Sequence, residues 1–179
     1  MRTFFYLTVV FFSFQSCSPT LSPFTERLVE ENRWSERDLK KIQFYLSEDI
    51  VLTRELGGSA SEIISGEIKM INGRRVEQVI MKKGTAGVLM FSPKQERMAV
   101  SFEEGGDERY LMFGSNSKAK GHYLLLAKEW NRRIGKVTYE GKLYRVQGKS
   151  AYAGLMVDLK RLNKTIYDAR RASGRTVEN

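Results

Sequence analysis

From Asp49 onward the chain is cut into short runs of strand-forming residues, and two of the cuts are residue pairs that favour one kind of turn. Asn72-Gly73 separates IKMI from RRVEQVIM, and Glu140-Gly141 separates KVTY from KLYRV. A two-residue hairpin of type I′ needs positive φ at both central positions, a conformation that Asn and Gly reach at least cost. Each pair therefore predicts two antiparallel neighbouring strands, the Glu140-Gly141 signal being the weaker of the two. Longer turns at Ser92-Pro93-Lys94-Gln95 and Glu104-Gly105-Gly106-Asp107 would join the middle strands into a meander. The spacing predicts strands over 50–56, 63–71, 74–82, 87–91, 96–103, 108–113, 123–127, 136–139, 142–146 and 151–158. Many short strands at close intervals define a mainly β fold, an antiparallel sandwich or barrel-like domain.

Two patterns locate the core. In Arg97-Met98-Ala99-Val100-Ser101-Phe102 the apolar residues alternate, so Met98, Val100 and Phe102 share a face. Val88-Leu89-Met90-Phe91 and Leu124-Leu125-Leu126 are apolar throughout, which predicts cover on both sides. Ahead of the strands, residues 24–46 read as helical with a break near Asn32. Ser35 is a candidate N-cap with Asp38 in the capping-box position, Leu39, Ile42 and Leu46 recur at helical spacing, and Trp34 stands where a staple residue would. After Asp158 the reading is a short helical or irregular stretch, then a frayed tail at 172–179.

The chain carries 30 Lys and Arg against 21 Asp and Glu, and the excess is placed unevenly. Residues 118–179 hold 15 of those cations and 5 of the anions, a net of +10, while residues 1–117 come to −1. The length suits one domain with a real core, read here as residues 24–171.

The N-terminus has a different logic. Arg2 is followed by an apolar run from Phe4 to Phe14, interrupted by Thr8 and Ser13, and then by Gln15-Ser16-Cys17. A charged head, a short apolar stretch and a small residue make the layout of a secretory signal peptide. The run is too short for a bilayer crossing, which takes about 20 residues. Here the chain resembles a bacterial lipoprotein precursor, with Ser16-Cys17 as the end of a lipobox similar to those of Bacteroidota. The resemblance implies a signal peptide at 1–16, acylation of Cys17, a lipidated tether at 17–23, and an outer-membrane location facing the periplasm. Each buried methylene of such an anchor contributes about 0.8 kcal/mol, so two or more chains hold firmly. A lone cysteine in an exported chain has no partner for a disulfide.

Catalytic parts are scarce. There is one histidine, His122, and neither GGSAS at 57–61 nor GSNSK at 114–118 has the spacing of a nucleophile elbow. Neither a Walker nor a dinucleotide pattern occurs, so no catalytic residue, metal or cofactor is expected. Glu103, Glu104, Asp107 and Glu108 form the one concentration of carboxylates, with Glu103 and Asp107 the candidates for a carboxylate-dependent hydrolase of envelope glycans.

The richest mixture lies at 130–145. Arg132, Arg133, Lys136, Lys142 and Arg145 are candidate anion-binding residues, and Trp130, Tyr139 and Tyr144 are candidate stacking residues, because guanidinium forks grip phosphate or carboxylate while aromatic faces stack on sugars. The residue types favour a plainer arrangement, tyrosines packed inward and cations shielding an edge strand. The expectation is a non-enzymatic, membrane-anchored binding or assembly module. Its basic C-terminal surface would meet lipopolysaccharide, anionic lipid or an acidic envelope protein, with no nucleic acid as partner. The hydrolase and a passive structural lipoprotein are the alternatives.

Overall fold

The computed structural model describes residues 20–57, 66–94 and 96–168; the leader, Cys17, residues 63–65 of one expected strand and the tail at 172–179 lie outside them. The chain runs β1 (Leu21–Pro23), α1 (Glu26–Asn32), α2 (Glu36–Leu39), β2 (Phe44–Leu46), β3 (Ile50–Glu55), β4 (Glu67–Ile71), β5 (Arg74–Met81) and β6 (Ala86–Lys94). It continues through β7 (Arg97–Ser101), β8 (Leu111–Asn116), β9 (His122–Leu125), β10 (Glu129–Asn131), β11 (Ile134–Tyr139), β12 (Lys142–Gln147), β13 (Leu155–Asp158) and α3 (Leu159–Asp168). The strands form two antiparallel sheets packed as a sandwich. The first has the order β1-β13-β2-β6-β7-β8-β9 and the second β10-β11-β12-β3-β5-β4.

The sheets do not close into a barrel. Among the described residues no ladder joins the end strands β1 and β9 of the first sheet; the isolated bridges Thr25↔His122 and Leu124↔Gly154 link β9 to the residue two past β1 and to the residue just before β13. Phe24 sits at that seam, donating to Leu155 O at 2.8 Å and accepting from Tyr123 N at 3.1 Å. Its ring is fully buried against Phe44 and Tyr123, with centroids 5.0 and 5.1 Å away. A buried aromatic of this kind contributes about 1.5–3 kcal/mol from area alone.

Both hairpin signals hold. Asn72 and Gly73 have φ of 49° and 74°, Glu140 and Gly141 of 50° and 68°, and the flanking pairs Ile71↔Arg74 and Tyr139↔Lys142 close two-residue loops. A third such loop, Arg132-Arg133 between Asn131 and Ile134, carries no Gly or Asn and was not expected; Arg132 itself takes φ 56°. The turn expected at 92–95 is shorter. Ser92, Pro93 and Lys94 belong to β6, and Lys94 pairs with Arg97. Proline is tolerated there because β2 pairs with β6 only at Ala86 and Gly87, so the missing N–H faces no strand.

The N-terminal expectations need three corrections. Residues 21–23 of the supposed tether form β1, paired with β13 in the register Leu21↔Asp158. The capping box at Ser35 and Asp38 is present, but its helix is a single turn, and α1, capped by Thr25 and stopped at Arg33 (φ 50°), is the longer piece. Phe44–Leu46 is a strand instead of helix: Ile42, Phe44 and Leu46 are all buried, a period of two that wins over the helical spacing of Leu39, Ile42 and Leu46. Trp34 stacks on Phe24 at 6.2 Å.

Met98, Val100 and Phe102 are buried as expected, and Ala99 and Ser101 on the other face are buried too. The two-sided cover expected for 88–91 is absent, since Val88 and Phe91 are exposed at 47% and 38%. α3 follows directly on β13 and seats Leu162 in the core. Among the described residues no helix is long and apolar enough to cross a membrane.

Candidate functional site

The β11–β12 hairpin sorts its residues by parity. Because paired residues share a face, Ile134, Lys136, Thr138, Leu143, Arg145 and Gln147 point outward, while Val137, Tyr139, Tyr144 and Val146 are buried. Register carries the outward row across the sheet. Glu129, Lys136, Arg145, Thr53, Gln78 and Glu67 are successive partners on six strands.

That row floors a groove. The ladder between β12 and β3 has only two residue pairs, Arg145↔Thr53 and Val146↔Leu52, and past Thr53 the strands are no longer paired. The opening is a concavity of about 860 Å³, lined among others by Thr53, Glu55, Arg74, Lys136, Leu143 and Arg145. Three of its cations are occupied: Arg54 Nη2 lies 2.5 Å from Glu77 Oε2, Arg74 Nη1 3.0 Å from Glu55 Oε2, and Lys136 Nζ 3.1 Å from Glu129 Oε2. Arg145 is exposed and, among the described residues, makes no ion pair. An unengaged guanidinium in a concave, hydroxyl- and amide-lined surface presents a two-pronged donor to a phosphate or carboxylate.

The remaining candidates are dispersed. Arg132 and Arg133 form the β10–β11 turn, where the Arg133 guanidinium lies 5.8 Å from the Tyr152 ring. Trp130 covers Gly135, where a Cβ would come within 2.6 Å of Trp130 Cζ3. Gly135 belongs to the inward-facing set, so Trp130 does not share the groove with Lys136 and Arg145. The stacking role read for Tyr139 and Tyr144 is corrected: their exposures are 1% and 0%, and they pack edge to face 6.2 Å apart. Lys142 also faces inward, its Nζ enclosed and without a hydrogen-bond partner among the described residues, so it is no surface anion ligand.

A second charged group lies on the inner face of the same sheet. Glu77, fully buried, takes Arg54 Nε at 2.9 Å and Nη2 at 2.5 Å, and the Arg54 guanidinium sits 5.7 Å from the Tyr144 ring centre. Glu77 Oε1 and the Tyr144 hydroxyl have no hydrogen-bond partner among the described residues. Burial, then the Glu77 charge, pushes the Tyr144 phenol up to about 12. Burial together with a hydrogen bond to Glu103 raises Tyr139 further.

These contacts also bear on the carboxylate cluster. Glu103 is bound by the Tyr139 hydroxyl and faces Arg109 Nη1 at 3.8 Å, and Arg109 Nε holds Glu140 Oε1 at 2.6 Å. Asp107 is exposed in the loop before β8. His122 opens β9 opposite Asn116.

Sequence reasoning missed the β3 and β5 side of the groove. Thr53, Glu55 and Arg74 are far from Arg145 in the chain, and only the alternation of each strand, combined with a knowledge of which strands pair, could have found them. Comparison with models of protein families, with curated proteins and with solved structures finds no match for the chain.

Proposed function

We propose that the chain is a non-enzymatic binding module, held at the outer membrane by acyl chains on Cys17 and facing the periplasm. Its groove takes the phosphate or carboxylate groups of an anionic envelope component, with lipopolysaccharide as the first choice. One observation carries the reading: Arg145, without an ion-pair partner among the described residues, stands beside Lys136 in a concave face of the second sheet. The basic last third of the sequence supports it, since a field of one sign steers oppositely charged ligands.

The test is retention of the chain on immobilised lipopolysaccharide across a salt series. Lys136→Glu with Arg145→Glu is expected to lower retention at moderate salt by about tenfold, the scale of two charge-assisted contacts. Retention of the wild type should fade as salt rises, because the Debye length is only about 8 Å at physiological ionic strength. Unchanged retention of the double variant rejects the groove. Capture of an acidic envelope protein in place of the glycolipid would keep the groove and change the ligand.

A further inference from the structure

The register Leu21↔Asp158 fixes where the N-terminal segment enters the domain. Leu21 opens β1 at the end of the sandwich where β13 passes into α3. Four peptide units separate Cys17 from Leu21, so the Cys17 Cα lies within about 14 Å of Leu21 whatever path the chain takes. A bilayer that holds residue 17 is therefore brought to this end of the molecule.

The same end is cationic. α3 uses Leu162 and part of Leu159 against the core, and this leaves Lys160, Arg161 and Lys164 exposed. Lys41, exposed just before β2, faces Arg161 across a shallow pocket of about 300 Å³ that Tyr45, Gln43 and Asp158 also line. Among the described residues that line that pocket, Asp158 is the carboxylate. Its Oδ1 accepts from the backbone N–H groups of Lys160 and Arg161 at 3.0 and 3.3 Å, so it caps the helix. Arg161 Nη1 reaches the Tyr45 hydroxyl at 3.3 Å, which holds the guanidinium at the pocket mouth.

We propose that this end is applied to the membrane surface, with Lys41, Lys160 and Lys164 gripping the phosphates of anionic phospholipid headgroups. The orientation rests on the membrane attachment at Cys17 proposed above. Charge complementarity and the short reach of the segment before Leu21 select the occupant: the bilayer is the anionic surface that the attachment itself brings within range. The surface is separate from the Lys136 and Arg145 groove, which belongs to the other sheet and remains open to a ligand.

The test uses the full chain reconstituted in vesicles of phosphatidylcholine, with or without phosphatidylglycerol, and a water-soluble amine-acylating reagent read by peptide mass spectrometry. With phosphatidylglycerol, Lys41, Lys160 and Lys164 are expected to label about fivefold more slowly, the scale of one cation held at an anionic surface, and to recover at high salt. Lys83 is the internal control, since it follows β5 at the opposite end, near Leu46. Equal labelling of the three lysines in both vesicles overturns the proposal. So does unchanged salt release of the Lys41→Glu, Lys164→Glu variant, whose exposed substitutions leave the core untouched. The mass of the N-terminal peptide reads acylation separately. Acylated chain without protection rejects the surface and keeps the anchor, whereas protection in unacylated chain rejects the lipid and keeps the surface.

Discussion

Arg54 and Arg145 stand on neighbouring strands of one sheet and meet opposite fates. Thr53 is the register partner of Arg145, and Arg54 is the next residue along β3. That single step turns its side chain to the other face. There it meets Glu77, fully buried, and lies near the Tyr144 ring. Arg145 faces water, with Lys136 beside it. The inner arginine offsets a buried carboxylate and is needed by the fold. The outer one is exposed, and its guanidinium makes no ion pair among the described residues. Charge count alone could not separate the two, because what differs is the parity of the position.

Breaking the inner pair should have the largest effect. Glu77→Ala leaves Arg54 half in the sandwich without its anion, and is expected to cost about 3 kcal/mol, the lower end for a broken buried pair because Arg54 keeps 25% of its side-chain surface exposed. Urea unfolding measures it. Replacing both partners, Arg54→Met with Glu77→Leu, should recover most of that loss, and a double variant as unstable as the single one would refute the assignment.

The phenols beside these charges set an alkaline limit. The Tyr123 and Tyr144 pKa values are pushed up to about 12, and that of Tyr139 is also raised, in each case by burial first. A raised folded pKa means that the native state holds its proton more tightly than the unfolded chain does. Stability is therefore full below the ordinary tyrosine pKa of about 10 and falls as pH rises from there through about 12. Unfolding midpoints across pH 9 to 12 should drop, and flat midpoints would contradict the burial. Tyr144→Phe should be neutral or stabilising by up to about 1 kcal/mol below pH 10, because its hydroxyl has no hydrogen-bond partner among the described residues. The same variant should blunt the alkaline loss.

Smaller still is the difference between two hairpin turns. Gly73, at φ 74°, should lose about 1–2 kcal/mol on substitution by Val. Arg132 already bears that strain at φ 56°, so Arg132→Gly should cost nothing and gain up to about 1 kcal/mol. Thermal denaturation of the two single variants ranks them, and an equal response would mean that the two turns are not under the same strain. On the outer face, Lys136→Glu and Arg145→Glu should change stability by no more than about 0.5 kcal/mol while weakening retention on the glycolipid. A large stability loss there would mean that the groove cations serve the fold after all.

The parts of this fold that were legible in the sequence are those decided within a few residues. Asn72, Gly73 and Gly141 take positive φ because of what they are, Glu140 is carried there by the turn that Gly141 permits, and Met98, Val100 and Phe102 are buried because a strand has a period of two. The capping box of Ser35 and Asp38 is equally local. Ile42, Phe44 and Leu46 were ambiguous because spacings of three, four and two all fit, and pairing with β13 and β6 decided for the strand. Of the candidate residues, Lys136 and Arg145 face the groove, the plainer reading of tyrosines packed inward holds for Tyr139 and Tyr144, and Lys142, read as a surface cation, has its Nζ enclosed instead.

By itself the sequence determined where the chain turns, which segments alternate and where the positive charge is concentrated, since each depends on covalent geometry and composition. Only the tertiary structure decided that β12 would lie beside β3, that residues 21–23 would join β13, and therefore which arginine is bound inside and which is left facing water. Strand pairing between distant segments is chosen by the mutual fit of whole faces, and no single stretch of sequence contains both partners of that choice.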